Sequence, residues 1–173
     1  MREVTVRAWL LPSRACAAGL VLLAGEVAAQ MAECTISATP IDFGVYDPAS
    51  PAGLGPVTMT VTVGCSVPPG SGNVTGFTAS LSLSRGASAQ YSERRMTGIR
   101  SGERVGYNIY TTANASTIWG DGSGGSVTQP VVIPRMTPGQ SGRFNAQAYG
   151  FVRPLQDVAV DDYGDTLVVT LSW

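Results

Sequence analysis

VTMTVTVGC, residues 57–65, decides the fold class. Val57, Met59, Val61, Val63 and Cys65 share one parity, and Thr58, Thr60 and Thr62 share the other. Side chains alternate across a β-strand with a period of two, so this stretch predicts a strand with one apolar face that carries Cys65 inward. The pattern recurs in Phe77, Ala79, Leu81 and Leu83 against Thr78, Ser80, Ser82 and Ser84, and again in Val105, Tyr107 and Ile109. Residues 127–133 form a shorter apolar run that contains Pro130 and precedes Pro134, which fits an edge strand or a bent one. Residues 144–152 supply a further strand. Beyond residue 29 no window of helical length holds apolar residues at i, i+3, i+4 and i+7 without a Gly or Pro in it. The expected class is all-β, and short runs separated by Gly, Pro, Asn and Asp predict a sandwich.

The final run, DTLVVTLSW at 165–173, puts Leu167, Val169, Leu171 and Trp173 on one face and Thr166, Val168, Thr170 and Ser172 on the other. The chain closes on it. An apolar strand with nothing after it to cover its edge invites pairing with another chain.

At the other end, Arg2, Arg7 and Arg14 precede an apolar stretch at 15–24, and Val27-Ala28-Ala29 follows. This is the grammar of a secretory signal peptide, residues 1–29, with cleavage after Ala29. The apolar stretch is shorter than the roughly 18 to 20 residues of a membrane span, so export without stable membrane insertion is expected. Residues 30–173 then form one domain of 144 residues, long enough for a core of its own. Cys16 falls in the leader, leaving Cys34 and Cys65 as an even pair in an oxidising compartment, and a disulfide between them is expected.

Composition removes whole classes of chemistry. The 11 basic residues are all Arg, and there is no Lys and no His. Ser-His-Asp and Cys-His nucleophiles, imidazole metal ligands, Schiff-base lysines and P-loop lysines are therefore excluded. With the leader removed, eight Arg stand against ten Asp and Glu, a charge of −2, which does not fit a nucleic-acid binder. Gly120-Asp121-Gly122-Ser123-Gly124-Gly125 matches G-x-G-x-x-G by letter, yet Val127-Thr128-Gln129-Pro130 follows where a dinucleotide site needs a helix, so a turning loop is expected. Asp157, Asp161, Asp162 and Asp165 could attract Ca²⁺, but their spacing matches no calcium loop and turn-forming Asp on a solvated loop is the expected use. Tyr107, Tyr110, Trp119, Tyr149 and Phe151 could line a carbohydrate groove, against the more frequent use of such rings in core and cross-strand packing. No catalytic residue, metal or cofactor is expected, and the chain is not read as an enzyme.

Cys34-Thr35-Ile36-Ser37, then Ile41-Asp42-Phe43-Gly44-Val45-Tyr46-Asp47-Pro48, then Val61-Thr62-Val63-Gly64-Cys65 resemble the opening of the spore coat protein U family, the domain of pilin subunits of archaic, Csu-type chaperone-usher pili. Arg95-Met96, Val105-Gly106-Tyr107-Asn108-Ile109-Tyr110, Ile118-Trp119-Gly120-Asp121-Gly122, Tyr149-Gly150 and residues 163–171 are similar in order, so the resemblance covers nearly all of the mature chain.

The resemblance implies an immunoglobulin-like β-sandwich that lacks its last strand. A periplasmic pilus chaperone would fill the resulting groove first, and a neighbouring pilin subunit would fill it later by donor-strand complementation at an outer-membrane usher. Leu167, Val169, Leu171 and Trp173 would line that acceptor groove. The expected role is a secreted structural subunit of a pilus or surface coat, serving adhesion or biofilm formation, which passes through the periplasm to the cell surface. The alternatives are a self-complete secreted coat protein and a carbohydrate-binding adhesin module. One departure points to a tip or minor subunit: only Gln30-Met31-Ala32-Glu33 separates the expected cleavage site from Cys34. Four residues at roughly 3.3 Å each are too short to donate a strand.

Overall fold

The computed structural model describes residues 32–173 and the backbone of Glu3–Ala8. The rest of the expected leader lies outside the described residues. The strands are β1 (Glu3–Ala8), β2 (Glu33–Ala38), β3 (Ile41–Val45), β4 (Leu54–Ser66), β5 (Phe77–Leu83), β6 (Arg94–Gly98), β7 (Arg104–Tyr110), β8 (Gln129–Ile133), β9 (Ser141–Val152), β10 (Tyr163–Gly164), β11 (Thr166–Leu167) and β12 (Val169–Ser172). They form two sheets, as the alternating patterns predict.

The larger sheet runs β11-β1-β10-β6-β7-β9-β4-β2, with β3 joined to β1, and the smaller runs β12-β5-β8. β4 is the spine of the larger sheet. Its register against β9 extends from Leu54↔Val152 to Ser66↔Ser141, with an irregularity between Leu54 and Val57. Its other side pairs with β2 from Glu33↔Ser66 to Ala38↔Val61. β8, the strand that holds Pro130, lies at an edge of the smaller sheet, where a residue without an N–H is tolerated.

The core fills the space between the sheets. Met59, Val61 and Val63 of β4, Leu81 and Leu83 of β5, Ile109 of β7 and Ala148 of β9 are each no more than 1% exposed. Trp119 is fully buried, and its indole Nε1 donates to the Leu81 carbonyl at 3.0 Å, so the polar tip of a large ring is satisfied inside the core. β3, which the alternation did not single out, packs across β9. A Cβ on Gly150 would lie 2.7 Å from Phe43 Cζ, so glycine there is what lets the Phe43 ring sit against the backbone. Phe43 then meets Tyr107 edge to face, with ring centroids 6.0 Å apart.

Cys34 and Cys65 lie directly opposite each other in the β2–β4 register and are joined by a disulfide, their Cα atoms 4.1 Å apart. The crosslink spans 31 residues and ties the outermost strand of the large sheet to its neighbour.

Candidate strand-acceptor edge

The final run is not one strand. Tyr163–Gly164 pairs with β6 through Tyr163↔Gly98 and Gly164↔Thr97, in the larger sheet. Val169–Ser172 pairs with β5 from Val169↔Leu83 to Ser172↔Ser80, in the smaller sheet. The chain thus crosses from one layer to the other within a few residues. The crossing is anchored at Ser84: its N–H donates to the Val168 carbonyl at 2.9 Å, and its Oγ accepts from the Val168 N–H at 2.9 Å.

Ser84 is itself held by a buried cation. Arg94 is fully buried on β6. Its Nε and Nη2 donate to the Ser84 carbonyl at 3.1 and 2.9 Å, Nη2 donates to the Trp119 carbonyl at 2.8 Å, and Nη1 donates to Asn108 Oδ1 at 2.6 Å. The guanidinium also lies 5.1 Å over the Tyr91 ring. Burial lowers its pKa from the usual guanidinium value. The planar fork suits this task, since it reaches both sheets at once. Arg94 shares its parity with buried Met96, and that alternation was the available sign that it points inward.

Between β10 and β11, Asp165 turns its carboxylate inward. Oδ1 accepts from the Ala87 and Thr166 N–H groups at 3.0 and 2.8 Å, and Oδ2 accepts from Tyr107 Oη at 2.7 Å. Burial, and then the neighbouring Asp165 charge, push the Tyr107 phenol well above its usual pKa, so it stays a donor. Asp161 works in the same manner. Oδ2 accepts from the Arg100 and Ser101 N–H groups at 2.8 and 2.6 Å, and Arg100 Nε donates to Oδ1 at 3.1 Å. Backbone donors, Ser101 first, hold this carboxyl well below the usual range. Two of the four clustered aspartates therefore organise backbone, while Asp157 and Asp162 are exposed. Among the described residues no group of three or more acidic or cysteine side chains could hold a metal.

The outer side of β10 and β11 takes an added strand. The backbone of Glu3–Ala8 lies there, parallel to β10 through Val4↔Tyr163 and to β11 through Arg7↔Thr166 and Ala8↔Leu167. On its other side it runs antiparallel to β3, from Glu3↔Val45 to Val6↔Ile41. The slot between β3 and β10/β11 is thus one strand wide. The inward residues of its flanking strands are apolar and buried: Ile41 at 2% and Phe43 at 5% exposure on β3, Tyr163 and Leu167 at 1% on β10 and β11.

Of the four residues read as groove-lining, Leu167 flanks this slot. Val169 is buried and Leu171 half-buried, and both belong to β12 in the other sheet. Trp173 is 54% exposed, with its ring 6.2 Å from that of Phe77. Ile41, Phe43 and Tyr163 stand in the stretches that carry the resemblance but were not read as groove-lining. The aromatics read as a possible sugar groove divide: Tyr107 and Trp119 are core, whereas Tyr110, Tyr149 and Phe151 are half-buried.

No curated relative matches the chain. Among solved structures it is similar to a chain of the CsuC–CsuE chaperone–tip adhesion subunit pre-assembly complex from archaic chaperone-usher Csu pili of Acinetobacter baumannii. The TM-score is 0.52 at 18% identity, with 83% of this chain and 40% of that chain covered. At that identity the likeness speaks for the fold, an immunoglobulin-like β-sandwich. Residues 19–170 match the Spore Coat Protein U domain, a span that opens upstream of the expected mature start at Gln30. Since that span takes in most of its length, the chain belongs to the Spore Coat Protein U domain family.

Proposed function

We propose that this chain is an exported structural subunit of a chaperone-usher pilus or related surface coat, and that it accepts a β-strand from another chain between β3 and β10/β11. The observation that carries this reading is the slot itself: two short strands and β3 flank a space one strand wide, lined by Ile41, Phe43, Tyr163 and Leu167. Cleavage after Ala29 would remove Glu3–Ala8 and expose that slot. A donated strand would restore the main-chain hydrogen bonds on both sides and seal the apolar residues beneath.

The partners on this reading are a periplasmic chaperone, an outer-membrane usher and a neighbouring subunit, with passage through the periplasm to the cell surface. Family membership supports a structural rather than an enzymatic role. Among the described residues no helix is long and apolar enough to cross a membrane. With only residues 30–33 ahead of Cys34 after cleavage at Ala29, the subunit would accept a strand without donating one, which supports a tip or minor position in this reading.

A second reading has its own observation. Glu3–Ala8 belongs to the same chain, so a protein that kept this segment would be complete by itself, as a free-standing coat protein is. Periplasmic expression of the precursor, with and without a chaperone encoded beside it, separates the two when followed by size-exclusion chromatography and intact mass. A one-to-one chaperone complex with a mature start at Gln30 is expected. A stable monomer that retains Glu3–Ala8 would replace the pilus reading with the coat reading.

A further inference from the structure

A cavity of about 320 Å³ is lined by residues other than those that flank the slot, chiefly from the ends of β4, β7 and β9. It opens where the β4–β9 register shifts between Leu54 and Val57. Strand irregularities of this kind recur beside binding sites, because they break pairing and re-aim side chains. Gly53, Gly55, Phe151 and Arg153 line it together with Tyr110, which touches Phe151, and Glu93, which touches Arg153. A Cβ at Gly55 would come within 2.4 Å of the Gly150 carbonyl oxygen and 2.9 Å of Phe151 Cδ1, and φ there is +120°. Glycine alone keeps the backbone here close to the Phe151 ring.

The face is unusual in its chemistry. Val105, Tyr107 and Ile109 of β7 and Ala148 and Val152 of β9 are buried on the core side, so Tyr110, Tyr149 and Phe151 project outward, where a solvated sheet ordinarily carries polar residues. Tyr110 and Phe151 meet edge to face, with centroids 5.6 Å apart. Beside them Glu93 accepts from Arg95 at 3.0 Å through one oxygen and from Arg153 through the other. Asn108, which also lines the cavity, is buried and held by its Oδ1 on Arg94 and the Ile109 N–H and by its Nδ2 on the Tyr91 carbonyl.

We propose that this cavity binds a single neutral pyranose ring, stacked on Phe151 with Tyr110 standing at its side, and hydrogen-bonded through its hydroxyls to Glu93 and Arg153. Each element of the ligand follows from a feature of the site. A flat aromatic surface favours the C–H face of a sugar ring. A carboxylate that only accepts, next to a guanidinium that only donates, matches vicinal hydroxyls that do both. An anionic ligand would have to displace Glu93 from Arg153. The volume lies at the lower end of small-molecule sites, roughly 300 to 1,000 Å³, which limits the occupant to about one ring. The site does not rest on strand acceptance, since the slot and the cavity use different residues.

Methyl α-glucopyranoside, methyl α-galactopyranoside, methyl α-mannopyranoside and glucuronate, each titrated into ¹⁵N-labelled protein, test the proposal. At least one neutral glycoside is expected to give saturable shifts centred on the amides of Tyr110, Phe151 and Arg153. Phe151→Leu keeps apolar volume but loses the ring, and should weaken that glycoside about tenfold. Glu93→Gln, at a half-exposed position that does not threaten folding, should also weaken it, while Val132→Ala on the smaller sheet leaves it unchanged. No saturable shift with any neutral glycoside, binding of glucuronate alone, shifts centred elsewhere, or unchanged affinity in Phe151→Leu and Glu93→Gln would each overturn it.

Discussion

The two edges of the larger sheet are built on opposite plans. At one edge, β2 pairs with β4 over six consecutive positions and is crosslinked there by Cys34–Cys65. At the other, β10 and β11 have two residues each, the chain between them is occupied by Asp165, and it leaves for the other sheet at Val168. The first edge is joined covalently to the fold. The second is a short template whose outer side holds the backbone of a segment more than 30 residues upstream of β3. A sheet organised in this way has one covalently joined border and, on the proposed reading, one border suited to exchange. On the proposed reading the disulfide would hold the sandwich while the other edge exchanges its strand, and the short strands would limit how much unpaired backbone is exposed.

The largest expected effect tests the exchangeable edge. Leu167→Asp would place an unpaired charge beside the slot, whose desolvation cost is several kcal/mol. Loss of the chaperone complex is expected in co-purification, with the disulfide still formed. Leu171→Asp, on β12, tests the boundary between the two layers. If only Leu167→Asp blocks assembly, the acceptor stops where the chain changes sheet, and if both do, it extends along the whole final run.

The next effect tests the anchor that the two layers share. Arg94→Met would leave the Ser84 and Trp119 carbonyls without the guanidinium donors and Asn108 Oδ1 with only the Ile109 N–H, at a cost of about 3 to 5 kcal/mol, measurable by urea denaturation. Since Ser84 holds the crossing at Val168, amide exchange should accelerate first at Val168 and along β12.

Cys34→Ser with Cys65→Ser removes the permanence of the other edge. The loop of 31 residues gives roughly 3 to 4 kcal/mol on the chain-entropy account. The comparison sharpens if this loss falls on β2 while strand acceptance persists, and it breaks if acceptance is lost as well.

The smallest effect concerns pH. Asp161 has a depressed folded pKa, so its contribution is fully present above the ordinary carboxylate pKa of about 3.9 and is lost as pH falls below it. Asp161→Asn should lower the melting temperature at neutral pH and flatten the acid limb of the stability curve below about pH 4. An unchanged acid limb would mean that its hydrogen bonds to Arg100 and Ser101 do not stabilise the loop.

Periodicity was legible wherever one face of a strand meets the core for its whole length. β5 comes closest to that condition, and the core-facing parts of β4, β7 and β9 also carry their inward residues on the apolar parity. β3 has only five residues, two of them buried, with Gly44 breaking the alternation, too short a signal to stand out. β6 opens with Arg94-Arg95, and two charged letters in a row conceal that one of them is inside. Arg94 is tolerated there because acceptors from Ser84, Asn108 and Trp119 converge on it, a coincidence of distant residues that no local pattern records. The final run kept its parity through Val169 while changing partners at Val168. Period two reports which way a side chain faces. It carries no information on which strand supplies the hydrogen bonds.

The amino-acid order by itself determined an all-β chain, the inward faces of its longest strands, the pairing of two cysteines and the absence of imidazole and lysine chemistry, because these follow from local alternation and residue type. Tertiary structure alone decided the rest. It set the slot between β3 and β10/β11, the crossing held by Ser84 and Arg94, and the outward row of Tyr110, Tyr149 and Phe151 beside a shift in register. Each of these depends on backbone groups brought together from positions far apart in the chain, and hydrogen-bond partners at such distances are chosen only when the whole sandwich packs.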